Sequence, residues 1–319
     1  MTRMGMTAAG CVLALAVTAA PAAGQLPGKL GKAAGQARDA ADKAKKAADV
    51  WDAFNVTEAE EVDLGQQVSD KLRARYGVVQ DKAVHKYVTL VGTTITQASS
   101  RPGLKWKFIV LDTDGVNAYA APGGFVHITR GALSLLSNEA ELAGVLGHEV
   151  AHVTERHTVN AIKKSKGVEL TAEMSRSQVL SAVADKSYEI LFEGMYNRGD
   201  ELDADAKGAA FANAAGYAPG LGAFLQRLAD RNKGQSARNG LFASHPETKE
   251  RIDKLGAQVV SQRFASKAQV AARFKTAITY TPVPVAQITQ VEAGASGLAG
   301  GKSDAKAAPS SSGGKLGLG

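Results

Sequence analysis

Cysteine is almost missing from this chain: Cys11 is the single one in 319 residues. It lies inside the apolar N-terminal run, most of which, Val12 to Val17, follows it. In a lipoprotein signal the run precedes the cysteine, so Cys11 reads as part of the leader. Without the leader the chain has no thiol nucleophile and no disulfide, and an oxidising compartment leaves it unaffected. Aromatic residues are scarce at 6%, and no aromatic-plus-basic motif of a nucleic-acid binder is present, so nucleic acid is not expected as a partner. Ala8–Ala20 is the only long apolar run, shorter than the roughly 20 residues that span a bilayer. No internal repeat of solenoid period is found.

What is present is 45% apolar side chains, rich in alanine and glycine. That is enough for a core and argues for closely packed helices with small residues in their contacts. Arg3, the run Ala8–Ala20 and the small-residue site Ala20-Pro21-Ala22 read as a cleavable export signal over residues 1–23; the competing reading is an uncleaved anchor. Residues 24–51 form an Ala/Lys-rich linker or arm that buries little. Residues 52–282 hold the pattern of a folded domain, and residues 283–319 a Gly/Ser/Ala-rich tail read as disordered. The net charge of +7 allows weak attraction to an anionic membrane or cell-wall surface.

Along 52–282 the reading is α+β and mostly helical. Val62, Leu64, Val68 and Leu72 recur at helical spacing up to a stop at Gly77, and Val84, Val88, Val91 and Ile95 do so in a second helix. Lys105–Leu111 alternates as a half-buried strand. Asn117–Ala121 and Phe125–Thr129 read as two extended pieces around the turn Pro122-Gly123-Gly124. A long helix is expected from Asn138 to about Lys164, others over 199–215 and 219–231, and a last one opening at Ser244-His245-Pro246-Glu247, with capping-box spacing. Val283–Gln290 is a candidate further strand.

The chemistry concentrates at His148-Glu149-Val150-Ala151-His152. Two histidines four apart on a helix share a face and can bind one tetrahedral metal ion. Glu149, beside that face, can act as general base on a water there. The surrounding run, Leu142 to Val153, is otherwise apolar, and burying two histidines and a glutamate in it is costly unless they are paired or bound. The third histidine of the longer HExxHxxGxxH pattern is absent: Glu155 and Thr158 stand where its glycine and histidine would be. The third ligand must come from another helix. Glu201 and Asp205 share a face at i,i+4, which suits one as ligand and the other as acceptor for a ligand's second ring N–H. Glu189, Glu193 and Asp203 compete on spacing alone. His157, five residues after His152, lies about 140° around the helix and is poorly aimed at the same metal. His85 and His127 read as ordinary helix and strand residues.

Several linked motifs resemble the zinc peptidases of the HtpX and CaaX-prenyl-endopeptidase group, peptidase family M48. They are Asn117 through Gly124, Asn138 through Leu142 running into His148–His152 and Arg156-His157, then Arg198 through Asp205, and Ser244-His245-Pro246. The resemblance covers about Thr57 to Leu255. It implies one Zn2+ per chain on His148, His152 and Glu201, with Glu149 as catalytic base and Asp205 supporting a ligand. It also implies a zincin-like (gluzincin) fold whose edge strand lies above the metal. That strand, Asn117, Ala118, Tyr119 and Ala120, would pair with an extended protein or peptide substrate. His245 would stabilise the oxyanion or fill the open metal position, and Arg198 would orient Glu201 or touch substrate. Together with the leader, the resemblance implies an exported, most simply periplasmic, endopeptidase acting on unfolded or misassembled envelope proteins. The rival reading is a zinc-stabilised chaperone-like binding module with little or latent proteolysis.

Overall fold

The computed structural model describes residues 36, 55–165, 174–193, 196–231, 248–284 and 287–288. All but residue 36 belong to one unit, Val50–Gly319. The leader, the arm, most of the tail and His245 lie outside the described residues.

The first described helix, α1 (Glu58–Tyr76), begins with a reciprocal capping box between Thr57 and Glu60 and ends at Gly77, whose φ of 73° ends the helix. It buries Leu64, Val68 and Leu72 completely. α2 (Lys82–Gln97) is capped by Asp81 and buries Val84, Val88, Val91 and Ile95. Strand β1 (Lys107–Leu111) turns Phe108 and Val110 inward; β2 (Ala118–Ala121), a one-turn 3₁₀ segment Pro122–Gly124 and β3 (Phe125–Thr129) follow. Gly123 and Gly124 take φ of 69° and 100°, which lets this turn reverse the chain without a Cβ clash. β3 is central: β1 pairs with it in parallel, and β2 antiparallel with Tyr119 opposite His127. That leaves β2 at an edge of the hydrogen-bonded sheet.

The remaining helices are α3 (Arg130–Leu135), α4 (Glu139–Thr154), α5 (His157–Ser165), α6 (Arg176–Glu193), α7 (Arg198–Ala214), α8 (Leu221–Arg231), α9 (Thr248–Ser261) and α10 (Ala271–Ala277). α4 is buried all round, as its apolar run required, and it packs against the sheet, α2, α7 and α8. Its first residue, Glu139, is a buried carboxylate. It accepts hydrogen bonds from Tyr87 and Tyr217 at 2.6 and 2.7 Å and pairs with Arg273. Burial opposes its ionisation, but these donors hold it below the usual carboxylate range. No helix among the described residues is long and apolar enough to cross a membrane.

Three expectations change. The helix expected from Asn138 to Lys164 is two, α4 and α5, broken at Glu155-Arg156, where Arg156 has φ of 55°. Nothing local marks the break; it is held by Arg156 Nε against the buried Glu61 carboxylate at 2.9 Å. α10 follows the helix expected to be last. Residues 283, 284, 287 and 288 form no strand.

Candidate metal centre

His148, Glu149 and His152 come from α4, Glu201 and Asp205 from α7, and Arg251 from α9. Helical spacing puts the two imidazoles on one face. Bringing a carboxylate to them requires two helix backbones in close approach, and Gly147 and Gly208 allow it. A β-carbon on Gly147 would lie 2.6 Å from the Gly208 carbonyl oxygen, and one on Gly208 would lie 2.5 Å from the His148 amide nitrogen. Asn197 caps α7 through the Asp200 amide, which sets Glu201 in the first turn.

One donor atom from each of His148, His152 and Glu201 lies within 4.8 Å of the others. The two Nε2 atoms are 3.1 Å apart; Glu201 Oε1 is 3.4 Å from His152 Nε2, and Glu201 Oε2 is 3.7 Å from His148 Nε2. Ligand atoms on a tetrahedral ion with bonds of about 2.0–2.1 Å are separated by roughly 3.3 Å. The other ring nitrogens are occupied. His148 Nδ1 is 2.9 Å from Asp205 Oδ1, and His152 Nδ1 is 3.0 Å from His157 Nδ1. His157 Nε2 faces Asp203 at 3.5 Å, and burial holds His157 below the ordinary histidine range. A neutral His157 donating to Asp203 accepts the Nδ1–H of His152, and Asp205 accepts that of His148. Both Nε2 lone pairs then converge with a carboxylate on one point, an arrangement that a cation relieves. The donor set fits a divalent metal such as zinc.

Four charged side chains close around this point, each almost wholly buried: Glu149, Glu201, Asp205 and Arg251. Arg251 is the only cation of the four. Its Nε and Nη2 donate to the two oxygens of Asp205 at 2.8 and 2.7 Å, and its Nη1 reaches Glu201 Oε2 at 2.9 Å. Burial would raise the Asp205 pKa; the bonds from Arg251 and His148 outweigh it and bring it to about 2. Tyr196 stacks on His152 with ring centroids 4.2 Å apart, and its hydroxyl meets that of Thr158 at 2.7 Å.

The strand expected to meet substrate is an edge in hydrogen-bond order, yet it is not exposed. Asn117, Ala118, Tyr119 and Ala120 are all buried. α6 packs against β2, and the Thr158 hydroxyl donates to the Ala120 carbonyl at 3.4 Å. The turn after β2 is anchored by Glu61, which accepts from the Gly123 amide at 3.2 Å and pairs with Arg101 and Arg156.

Arg198 does not reach Glu201: its side chain is largely exposed and pairs with Glu250. The guanidinium on Glu201 belongs to Arg251, which sequence reasoning missed. Its signal was a charge one helical turn before Leu255, on the buried face of α9. His157 and Tyr196 were missed as well. The break at Arg156 re-aims His157 onto the far side of the His152 ring. Of the competing acids, Asp203 faces His157, and Glu189 pairs with Lys186 away from the centre.

With this geometry in place, the family model for peptidase family M48 matches residues 82–259, more than half of the chain. The chain belongs to peptidase family M48. Among curated M48 relatives it is similar to the beta-barrel assembly-enhancing protease of Yersinia pestis, 26% identical over 59% of this chain and 41% of the relative. It is also similar to the mitochondrial metalloendopeptidase OMA1 of Schizosaccharomyces pombe, 29% identical over 60% and 59%, and to metalloprotease YcaL of Escherichia coli strain K12, 29% identical over 65% and 76%. The match thus spans about half the length of the first two. The M48 match takes in α2 through most of α9, the segment that contains every member of the centre.

Proposed function

We propose that the chain is a zinc-dependent endopeptidase, with His148, His152 and Glu201 as metal ligands and Glu149 as general base. The observation that carries this reading is the convergence of two imidazole Nε2 atoms and one carboxylate at ligand spacing, inside a chain of the M48 family. A bound zinc ion supplies a Lewis acid and lowers the pKa of a water it holds to about 7. The protein does the rest. Asp205 and His157 fix the tautomers of the two histidines so that each presents Nε2. Glu149 takes the proton from the attacking water and returns it to the amine nitrogen of the leaving peptide. The buried walls around Glu149 and Tyr196 exclude competing water.

The relatives' names include a beta-barrel assembly-enhancing protease. With the leader-like N-terminus, this supports an exported, periplasmic role on unfolded or misassembled envelope proteins. Metal analysis and casein cleavage on the purified chain and its Glu149→Gln variant test the reading. Both proteins are expected to hold one zinc per chain, and cleavage by the variant to fall about 10²–10⁴-fold. A metal-free wild type, or a variant that cuts at the wild-type rate, defeats the assignment.

One observation favours a second reading, a latent enzyme that holds substrates and seldom cuts. His148, Glu149, His152 and Glu201 are all buried, and α6 lies against the strand that a peptide would join.

A further inference from the structure

Arg251 is a fully buried cation of the centre, and its contacts with Asp205 and Glu201 have a pattern. Two nitrogens of the guanidinium grip Asp205, and the third holds Glu201 by Oε2 alone. Glu201 Oε1 is left turned toward His152 Nε2. We propose that Arg251 is a positioning residue with two linked tasks: it makes Glu201 a one-oxygen ligand, and it serves as the resident counter-cation that lets the centre fold before metal arrives. This rests on the metallopeptidase reading above.

The first task follows from shape. A carboxylate with both oxygens open to a divalent ion can chelate it and use up the position that a water needs. A guanidinium fixed on one oxygen draws that oxygen's charge and direction to itself and so disfavours chelation. The fork of Arg251 is itself fixed by Asp205, which in turn accepts from His148, so ligand, support and counter-charge form one rigid unit. The second task follows from charge. Glu149, Glu201 and Asp205 are buried together; with Arg251 and a divalent ion their charges balance. Before metal enters, Arg251 is the cation that offsets them. Removing one partner of such a buried set is far more damaging than removing an exposed charge.

Two variants separate the tasks, because lysine keeps the charge but lacks the planar fork, whereas methionine keeps only bulk. The purified chain, Arg251→Lys and Arg251→Met are each stripped with EDTA and melted, then reloaded with Co2+, whose visible absorption reports coordination number and geometry. Arg251→Met is expected to lose on the order of 10 °C in EDTA and clearly less when reloaded, while Arg251→Lys keeps most of the metal-free melting temperature. Both variants are expected to show a cobalt spectrum altered from wild type, toward the weaker absorption of a higher coordination number. Equal losses for Arg251→Met with and without metal overturn the counter-cation task. A cobalt spectrum of Arg251→Lys that superimposes on wild type overturns the positioning task. Wild-type protein that gives no cobalt absorption takes down the metal reading itself, and this proposal with it.

Discussion

His157 braces the His152 ring from behind, Nδ1 to Nδ1 at 3.0 Å. Counted along a continuous helix it points away from His152; in the structure it touches that ring on the nitrogen opposite the metal-facing one. Its loss is expected to weaken the binding of added metal about 10–100-fold, as the loss of a partner behind a ligand typically does. A competition titration of His157→Ala with a chromogenic chelator would read this directly, and wild-type affinity in the variant would show that the contact is incidental. What was legible here is the local part. His148, Glu149 and His152 are fixed by their neighbours in the chain. Glu201 emerged from the family resemblance. For Arg251 the sequence offered only a charge on the buried face of α9; its partner was not legible, because it meets Asp205 across 46 positions.

His127 makes a second residue-scale case. It is fully buried on β3, 2.9 Å from the Ser69 hydroxyl, and burial brings its pKa from 6.5 to about 3. The unfolded chain therefore binds a proton near pH 6.5 that the folded chain refuses. Stability from this residue is complete above pH 6.5 and drains away as pH falls toward 3. Between pH 6.5 and 4.5, above most carboxylate titration, the urea midpoint of the wild type should drop more steeply than that of His127→Gln, which keeps only the share of the buried His157. An equal slope in both proteins would remove His127 as the acid-sensitive group.

At the scale of elements, the small-residue composition foretold close helix packing, and it occurs at the α4–α7 crossing through Gly147 and Gly208 as well as where Gly144 meets the start of α8. Gly208→Ala should cost about 1–3 kcal/mol, since the added carbon meets backbone rather than a yielding side chain, and should reduce bound zinc by pushing Glu201 away from His148. Gly256 on α9 is the control: a β-carbon there meets nothing within 4 Å, and Gly256→Ala should be neutral or stabilising by roughly 0.5–1 kcal/mol. Thermal melts with metal analysis test both. Helix ends carrying their own stop, such as Gly77 and Gly216, could be read from the sequence. The end of α4 could not, because Arg156 enters the left-handed region under the pull of Glu61, far away in the chain. The β2 turn was readable from its glycines, but the burial of β2 was not, since α4, α6 and α1 all pack on it from distant parts of the chain.

For the whole molecule, the question is how a polypeptide reaches a centre with every member buried. α6 is tethered to α1 at the surface by Arg176 with Glu60, Lys71 with Asp185, and Arg75 stacked over Phe192. If the chain is latent in this arrangement, joining these two helices should hold it so. The only native cysteine is Cys11, so Lys71→Cys with Asp185→Cys, bridged by a short bismaleimide, gives a clean test. Casein cleavage should fall several-fold relative to each singly labelled protein. Undiminished cleavage would mean that α6 need not move.

The grip of Glu61 bears on the same motion from the other side. One carboxylate fastens α1, the turn after β2 and the break after α4. Those three pieces form a fixed jaw: the strand cannot swing out without tearing Arg101 and Arg156 from a buried anion. If the enzyme opens, the helical wall is the moving jaw and the sheet side is the fixed one.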